Sequence, residues 1–99
     1  MVDTNQLALA GRISELDALR HTPAGIPLLD FRLEHESEQT EAGMARQVRL
    51  EVACLATKRE ARLLAAAPLG ANVELRGFLA PRGRSSRQLV LHVTSFEFV

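Results

Sequence analysis

The sequence contains no tryptophan or tyrosine, and its only aromatic residues are four phenylalanines. Its one cysteine, Cys54, cannot form an internal disulfide, and no clustered histidine makes a metal set with it. No apolar run approaches the roughly 20 residues that a membrane-spanning helix needs. The first residues, MVDTNQ, lack the basic and then apolar pattern of a secretory signal. We therefore expect a cytoplasmic protein without membrane insertion, metal or cofactor.

With 99 residues, the chain is expected to form one domain, residues 1–99. A domain of this size can bury a single core without the help of a metal or disulfide. The net charge is zero, from 12 basic and 12 acidic side chains. Their distribution is uneven, because residues 1–50 hold five basic and eight acidic side chains whereas residues 51–99 hold seven and four. A site for an acidic partner is therefore expected in the C-terminal half.

Alternating apolar positions predict five strands, since a half-buried strand turns every second side chain to the core. A bulge at Gly77 is expected to bring Phe78 onto the inner face of the fourth strand. The segment Glu38–Gly43 is predicted to be an acidic loop. The predicted inner positions are Leu7, Leu9 and Ile13; Leu29, Phe31 and Leu33; Val48, Leu50, Val52 and Cys54; Val73, Leu75 and Phe78; and Leu89, Leu91 and Val93, continuing through Phe96 and Phe98.

One helix is predicted between the third and fourth strands. Thr57–Glu60 (TKRE) has the pattern of a capping box, and the alanines and leucines that follow are good helix formers. Pro68 and Gly70 end the run. The predicted order is therefore three strands, a helix and two strands. This order predicts an all-β fold, the five-stranded OB-fold barrel with one short helix between strands three and four.

The segment Ala80–Arg87 (APRGRSSR) carries three arginines and no acid on a Pro/Gly/Ser backbone suited to a hairpin tip. Arginine presents a planar fork of donors that matches phosphate oxygens. In an OB-fold this hairpin and the loop between strands one and two, which holds Arg20 and His21, lie beside the nucleic-acid-binding face. Two basic loops at these places favour nucleic-acid binding over the alternative of a solvated turn.

An enzymatic function is not expected. General acid-base work by a histidine would need it within hydrogen-bond reach of an oriented carboxylate, but His21, His35 and His92 lie in different elements. Cys54 lies on an inward-facing position, where it behaves as a small apolar residue.

Several short motifs resemble those of one family. The segment Thr22–Gln47 contains GIP at Gly25–Pro27, LEH followed by a serine at Leu33–Ser37, and EAG with RQ at Glu41–Gln47. A second region has Gly-Phe at positions 77–78 and, after the basic loop, Leu-His at 91–92. Over essentially all 99 residues the chain resembles the family of primosomal replication protein N (PriB), small OB-fold proteins of the bacterial replication-restart primosome.

The resemblance implies a homodimer that binds single-stranded DNA and helps the primosomal helicase PriA and later loading factors to assemble. Arg49 is a further candidate contact, although it and Met44 stand where better-known members have aromatic residues that stack on bases. We therefore expect charge to be the main source of DNA affinity. The DNA contacts carried over from the family are Arg20, Arg46, Arg82, Arg84 and Arg87.

Two alternatives remain open. One is a general single-stranded-DNA-binding coat protein, which the resemblance disfavours because members of the family lack the long acidic tail of such proteins. The other is an OB-fold module whose basic face docks acidic protein segments rather than DNA. Salt-dependent binding of an oligonucleotide with no partner present would separate DNA binding from the second alternative.

Overall fold

A computed structural model describes residues 1–99 as six strands and one helix. No helix has the length and apolar character needed to cross a membrane. The elements are β1 (Leu7–Leu16), β2 (Arg20–His21), β3 (Pro27–Glu41), β4 (Met44–Thr57), α1 (Lys58–Ala65), β5 (Asn72–Pro81) and β6 (Leu89–Phe98).

Five of the strands close into a barrel. Strand β1 pairs antiparallel with β5 over Leu7–Arg12 and with β3 over Arg12–Leu16, so it joins the two ends of the sheet. Its register shifts between Ile13 and Glu15, where it passes from one neighbour to the other. Strand β4 pairs in parallel with β6, and β2 adds only two residues beside the start of β3. The predicted OB-fold barrel, with its helix between the third and fourth barrel strands, is confirmed.

The predicted inner positions form most of one hydrophobic core. The cluster contains 13 buried residues, among them Leu29, Phe31 and Leu33 of β3. Helix α1 adds Ala61 and Leu64, both fully buried. The alternation of these strands therefore predicted most of the core face. The prediction is wrong for Leu50, Leu89 and Phe98, which are 41%, 54% and 54% exposed. Leu89 and Phe98 are the first and last residues of β6, and Leu50 lies on the part of β4 that pairs only with β3.

The prediction that Phe78 lies in the core is wrong. The register of β5 and β6 does shift between Arg76 and Gly77, as expected, but the extra residue is Thr94 on β6. Strand β5 therefore keeps its alternation, with Leu75 inside and Phe78 outside, where its side chain is 38% exposed. Gly77 is required for another reason, because a Cβ there would overlap the backbone carbonyl oxygen of His92.

The predicted acidic loop at Glu38–Gly43 is instead the end of a long hairpin. Strands β3 and β4 stay paired as far as Glu41 and Met44, and a two-residue turn, Ala42–Gly43, joins them. Both turn residues have positive φ, 52° and 77°, as the tight hairpin turn requires. The hairpin projects beyond the barrel, and on its β3 arm residues 36–41 are polar on both faces, so the alternation that identifies a strand is absent there.

The helix begins where the sequence predicts but without the predicted capping bond. Thr57 is the N-cap residue in extended conformation, and its side chain makes no capping hydrogen bond. Lys58 has a positive φ of 55°, so the chain turns into the helix differently from a capping box. The helix ends at Ala65, short of the predicted Ala67.

Candidate nucleic-acid interface

The two predicted basic loops meet at one carboxylate. Arg20, on β2 within the loop between β1 and β3, donates from Nε and Nη2 to Oδ2 of Asp30 at 3.1 and 2.7 Å. Arg82, at the start of the loop between β5 and β6, places Nη1 3.7 Å from the other oxygen, Oδ1. The structure therefore brings together two of the predicted site residues, from loops about 60 positions apart in sequence, as the OB-fold arrangement requires.

Asp30 is a functional candidate that sequence reasoning missed. It lies on the outward face of β3, and its side chain is only 17% exposed beneath the two guanidiniums. The sequence places Asp30 between the inner positions Leu29 and Phe31, so an outward side chain could be expected. Which basic side chains it meets depends on how the barrel closes. Two guanidiniums beside one carboxylate leave this point with a net positive charge, which attracts an anion.

A small cavity lies beneath this pair. It has a volume of about 60 Å³ and is bounded by Arg20, Asp30, Arg82, Leu55, Val90 and His92. The Nε2 atom of His92 is buried and has no hydrogen-bond partner. A buried polar atom without a partner is uncommon in a folded protein, so this is a place where a bound water or anion oxygen would be stabilised.

The loop between β5 and β6 presents two arginines with no acidic partner. The amide of Arg82 donates to the carbonyl of Gln88 at 2.9 Å, and the amide of Ser86 donates to Gly83 at 3.2 Å, so the loop folds back on itself. The side chains of Arg84 and Arg87 are exposed and form no ion pair. Unpaired guanidiniums on a loop tip are available to phosphate without first breaking an internal contact.

The other two predicted contacts, Arg46 and Arg49, lie on the long hairpin. They are three positions apart on β4 and so project from opposite faces. Arg49 faces outward opposite Glu36 and pairs with it at 3.3 Å, while Arg46 pairs with Glu41 at 2.9 Å. At roughly 3.3 Å per residue, Arg46 lies about 30 Å along β4 from Leu55. The structure thus places Arg46 and Arg49 apart from the loop cluster.

Acidic side chains accompany the arginines on the outer face of β3 and β4. Arg32 donates from Nε to Oε1 of Glu51 at 2.7 Å, and this hydrogen bond raises the pKa of the guanidinium. Arg12 lies 3.2 Å from Glu34. Exposed pairs of this kind contribute about 0–1 kcal/mol each, so a phosphate can compete for the arginine.

His35 and Cys54 contact neutral or apolar parts of the protein rather than a carboxylate. The ring nitrogens of His35 contact the carbonyl of Ala10 and the hydroxyl of Ser37, neither of which is a carboxylate. Cys54 is fully buried, as predicted, and burial raises the pKa of its thiol to about 12. The thiol is therefore protonated at neutral pH and a poor nucleophile.

Comparison with known proteins identifies the family of this chain. Residues 5–95 match a family described as another single-strand binding protein family. A replication restart protein PriB of Bordetella pertussis is 46% identical over 89 residues, which cover 90% of this chain and 83% of that protein. The PriB of Nitrosomonas europaea is 40% identical over 92 residues, which cover 93% and 85% of the two chains. None of these names is that of an enzyme.

Solved structures show the same barrel. The PriB protein of Ralstonia solanacearum superposes with a TM-score of 0.88 at 31% identity, covering 98% of this chain and all of that one. A single-stranded DNA binding protein of Thermus aquaticus superposes with a TM-score of 0.77, covering 97% of this chain and 50% of that one. At 19% identity the second likeness shows the fold alone. The family match, the relatives up to 46% identical and the solved PriB structure together show that this chain belongs to the PriB family of replication restart proteins.

Proposed function

We propose that the chain binds single-stranded DNA, with Arg20, Arg82, Arg84 and Arg87 as its main phosphate contacts. The observation that carries this proposal is the meeting of the two loops at Asp30, where Arg20 and Arg82 share one carboxylate. Arg84 and Arg87 extend the same positive surface and have no acidic partner. Phosphate contacts of this kind bind without regard to base sequence.

Arg49 and Arg46 serve as outlying contacts in this proposal. Arg49 projects from the outer face of the hairpin, and both arginines are bound only to exposed carboxylates, Glu36 and Glu41. A strand leaving the loop cluster can follow β4 toward them. The carboxylates of Glu34, Glu36 and Glu51 repel phosphate on the way, so we expect the loops to supply most of the affinity.

The biological role that we propose is that of an accessory protein in replication restart, which stabilises the helicase PriA on DNA and helps the primosome to assemble. The PriB name of relatives up to 46% identical supports this role. In this role residues 1–99 act as one non-enzymatic OB-fold domain in the cytoplasm, where the bacterial chromosome lies. The main attraction in this proposal is electrostatic, because the loops hold the strand through its phosphates.

A homodimer is part of the proposal. Residues Leu7–Leu9 pair with β5 on one edge, whereas pairing with β3 starts only at Arg12, so their other edge is open. Arg12 is the one charged side chain in β1 before Glu15. An open edge without charge is a template for pairing with a second strand. The same edge on a second copy would complete a continuous sheet.

Light scattering at micromolar concentration should give twice the 10.9 kDa mass of one chain. Ala8→Lys, which places a charge on the exposed face of this edge, should shift the mass toward one chain without unfolding the barrel. A parent mass of 10.9 kDa would contradict the dimer.

The experiment that tests DNA binding is a fluorescence anisotropy titration of a labelled single-stranded oligonucleotide with the chain alone. We expect saturable binding that weakens as salt rises. A protein-docking module of the same fold would leave the anisotropy unchanged, and that result would overturn the proposal.

A further inference from the structure

Four outward side chains form one continuous row across the barrel. Asp30 of β3 is the register partner of Leu55 on β4, Leu55 is the partner of His92 on β6, and His92 is the partner of Phe78 on β5. We call these four residues the outer row. With strands about 4.8 Å apart, it spans about 14 Å, beginning under the paired arginines and ending at an aromatic ring.

Phe78 is held in place yet open on one side. Its ring stacks on the His92 imidazole, with centroids 5.0 Å apart and planes 2° from parallel. The next residue, Leu79, exchanges two backbone hydrogen bonds with the amide side chain of Asn5, at 2.8 and 3.0 Å. A rigid aromatic surface loses little conformational entropy when it binds a ligand.

An open groove adjoins the ring. It has a volume of about 570 Å³, within the range of small-molecule pockets, and its lining includes Phe78, Asn5, Gln6, Arg76 and Thr94. Arg76 is half-exposed and is paired only with Glu74, on the same strand. The groove therefore combines an aromatic surface with hydrogen-bonding side chains and a positive charge.

The stacked pair of Phe78 and His92 links the groove to the loop cluster. His92 borders the small cavity beneath Arg20 and Arg82 and also carries the Phe78 ring. Stacked nucleotides advance roughly 3.4 Å each, so the outer row of about 14 Å corresponds to several nucleotides. A strand whose phosphate is bound at Arg82 can therefore place a base at the ring of Phe78. Arg76 lies beyond the ring and offers a phosphate contact on the far side.

We propose that Phe78 is a base-stacking residue and that the groove beside it receives a nucleobase of single-stranded DNA. The occupant is a base because every base has a π face and the groove pairs an aromatic surface with an arginine. This inference rests on the proposed DNA binding and adds a contact to it that does not depend on salt.

Phe78→Ala tests the stacking contact. We expect it to weaken binding of an oligonucleotide about tenfold, which is 1.4 kcal/mol and within the range for one stacked base. The slope of log affinity against log salt should not change, because no phosphate contact is lost. On an oligonucleotide of the same length made of abasic sites, Phe78→Ala and the parent should bind equally. Leu63→Ala, at a helix residue that is 43% exposed, is the control and should bind as the parent does.

Phe78→Trp gives a direct readout, because the chain has no other tryptophan or tyrosine. Its fluorescence should be quenched on binding the base-bearing strand and hardly quenched by the abasic one, whereas Leu63→Trp should respond to neither. If Phe78→Ala binds as the parent does and Phe78→Trp is not quenched, the stacking inference is wrong while DNA binding stands. If the parent itself binds no oligonucleotide, the proposed function fails first.

Discussion

Replacing Arg82, Arg84 and Arg87 together by alanine should weaken single-stranded-DNA binding about 100-fold at 0.1 M salt. Each phosphate neutralised on a single strand contributes roughly −0.7 to the slope of log affinity against log salt, so three lost contacts remove about −2. The two proteins should bind equally when their affinities are extrapolated to 1 M salt. At 0.1 M salt, a slope difference of about −2 then corresponds to about a 100-fold difference in affinity. Anisotropy titrations of both proteins at several salt concentrations measure the effect.

The triple variant should melt as the parent does, because the side chains of a loop tip make few buried contacts. A matched control is available on α1, where Lys58, Arg59 and Arg62 also supply three positive charges. Their triple alanine variant has the same net charge as the loop variant and should bind almost as the parent does. A loop variant that melts normally and binds like the parent would show that the loop does not hold the DNA.

Gly77→Ala should destabilise the barrel by about 3 kcal/mol or more. The added methyl group would overlap the carbonyl oxygen of His92 and approach the Cα of Val93, both of them backbone atoms that a rotamer change cannot move. These atoms are held by the bulge at Thr94, so relief requires a shift of β6 against β5. Such a loss is a large share of the 5–15 kcal/mol that stabilise an ordinary domain.

Urea denaturation measures the loss, with Gly83→Ala as the control. Gly83 lies in the loop between β5 and β6, where an added Cβ meets nothing within 4 Å, so that variant should unfold at nearly the parent's midpoint. If Gly77→Ala also unfolds at the parent's midpoint, the close approach of the two strands is not the constraint that the structure indicates.

The error at Phe78 shows what strand periodicity can and cannot predict. At a register shift between two strands, one strand carries an extra residue. Beyond that residue, the odd and even positions of that strand exchange faces. A glycine at position 77 is compatible with an extra residue on its own strand, but here Thr94 on the partner strand is the extra one. One sequence cannot distinguish these cases, since both give two strands that alternate correctly on either side of the shift. The choice between these cases bears on the proposed DNA binding, because it decides whether the ring of Phe78 lies in the core or on the surface.

The loop arginines could be located from sequence because a barrel with this order of elements fixes where its loops lie. Their partners could not. Asp30 meets Arg20 and Arg82 only after β3 pairs with β4 and β4 with β6, and a carboxylate on an exposed strand face gives no sign of which arginine it will meet. Similarly, the acidic segment before Gly43 gave no alternation, because a hairpin solvated on both faces does not need one.

The most direct test of the account is the salt dependence of oligonucleotide binding by the parent chain without any partner protein. If the four arginines proposed as the main contacts each neutralise one phosphate in each subunit, the slope of log affinity against log salt should be about −3 per subunit. Phe78 would add affinity that remains at high salt, shifting the line without changing its slope. A slope of about −3 that falls to about −0.7 in the loop triple variant, which keeps Arg20, is the expected result. Affinity that is the same at low and high salt would contradict the account, because it would show that the arginine loops do not hold the strand.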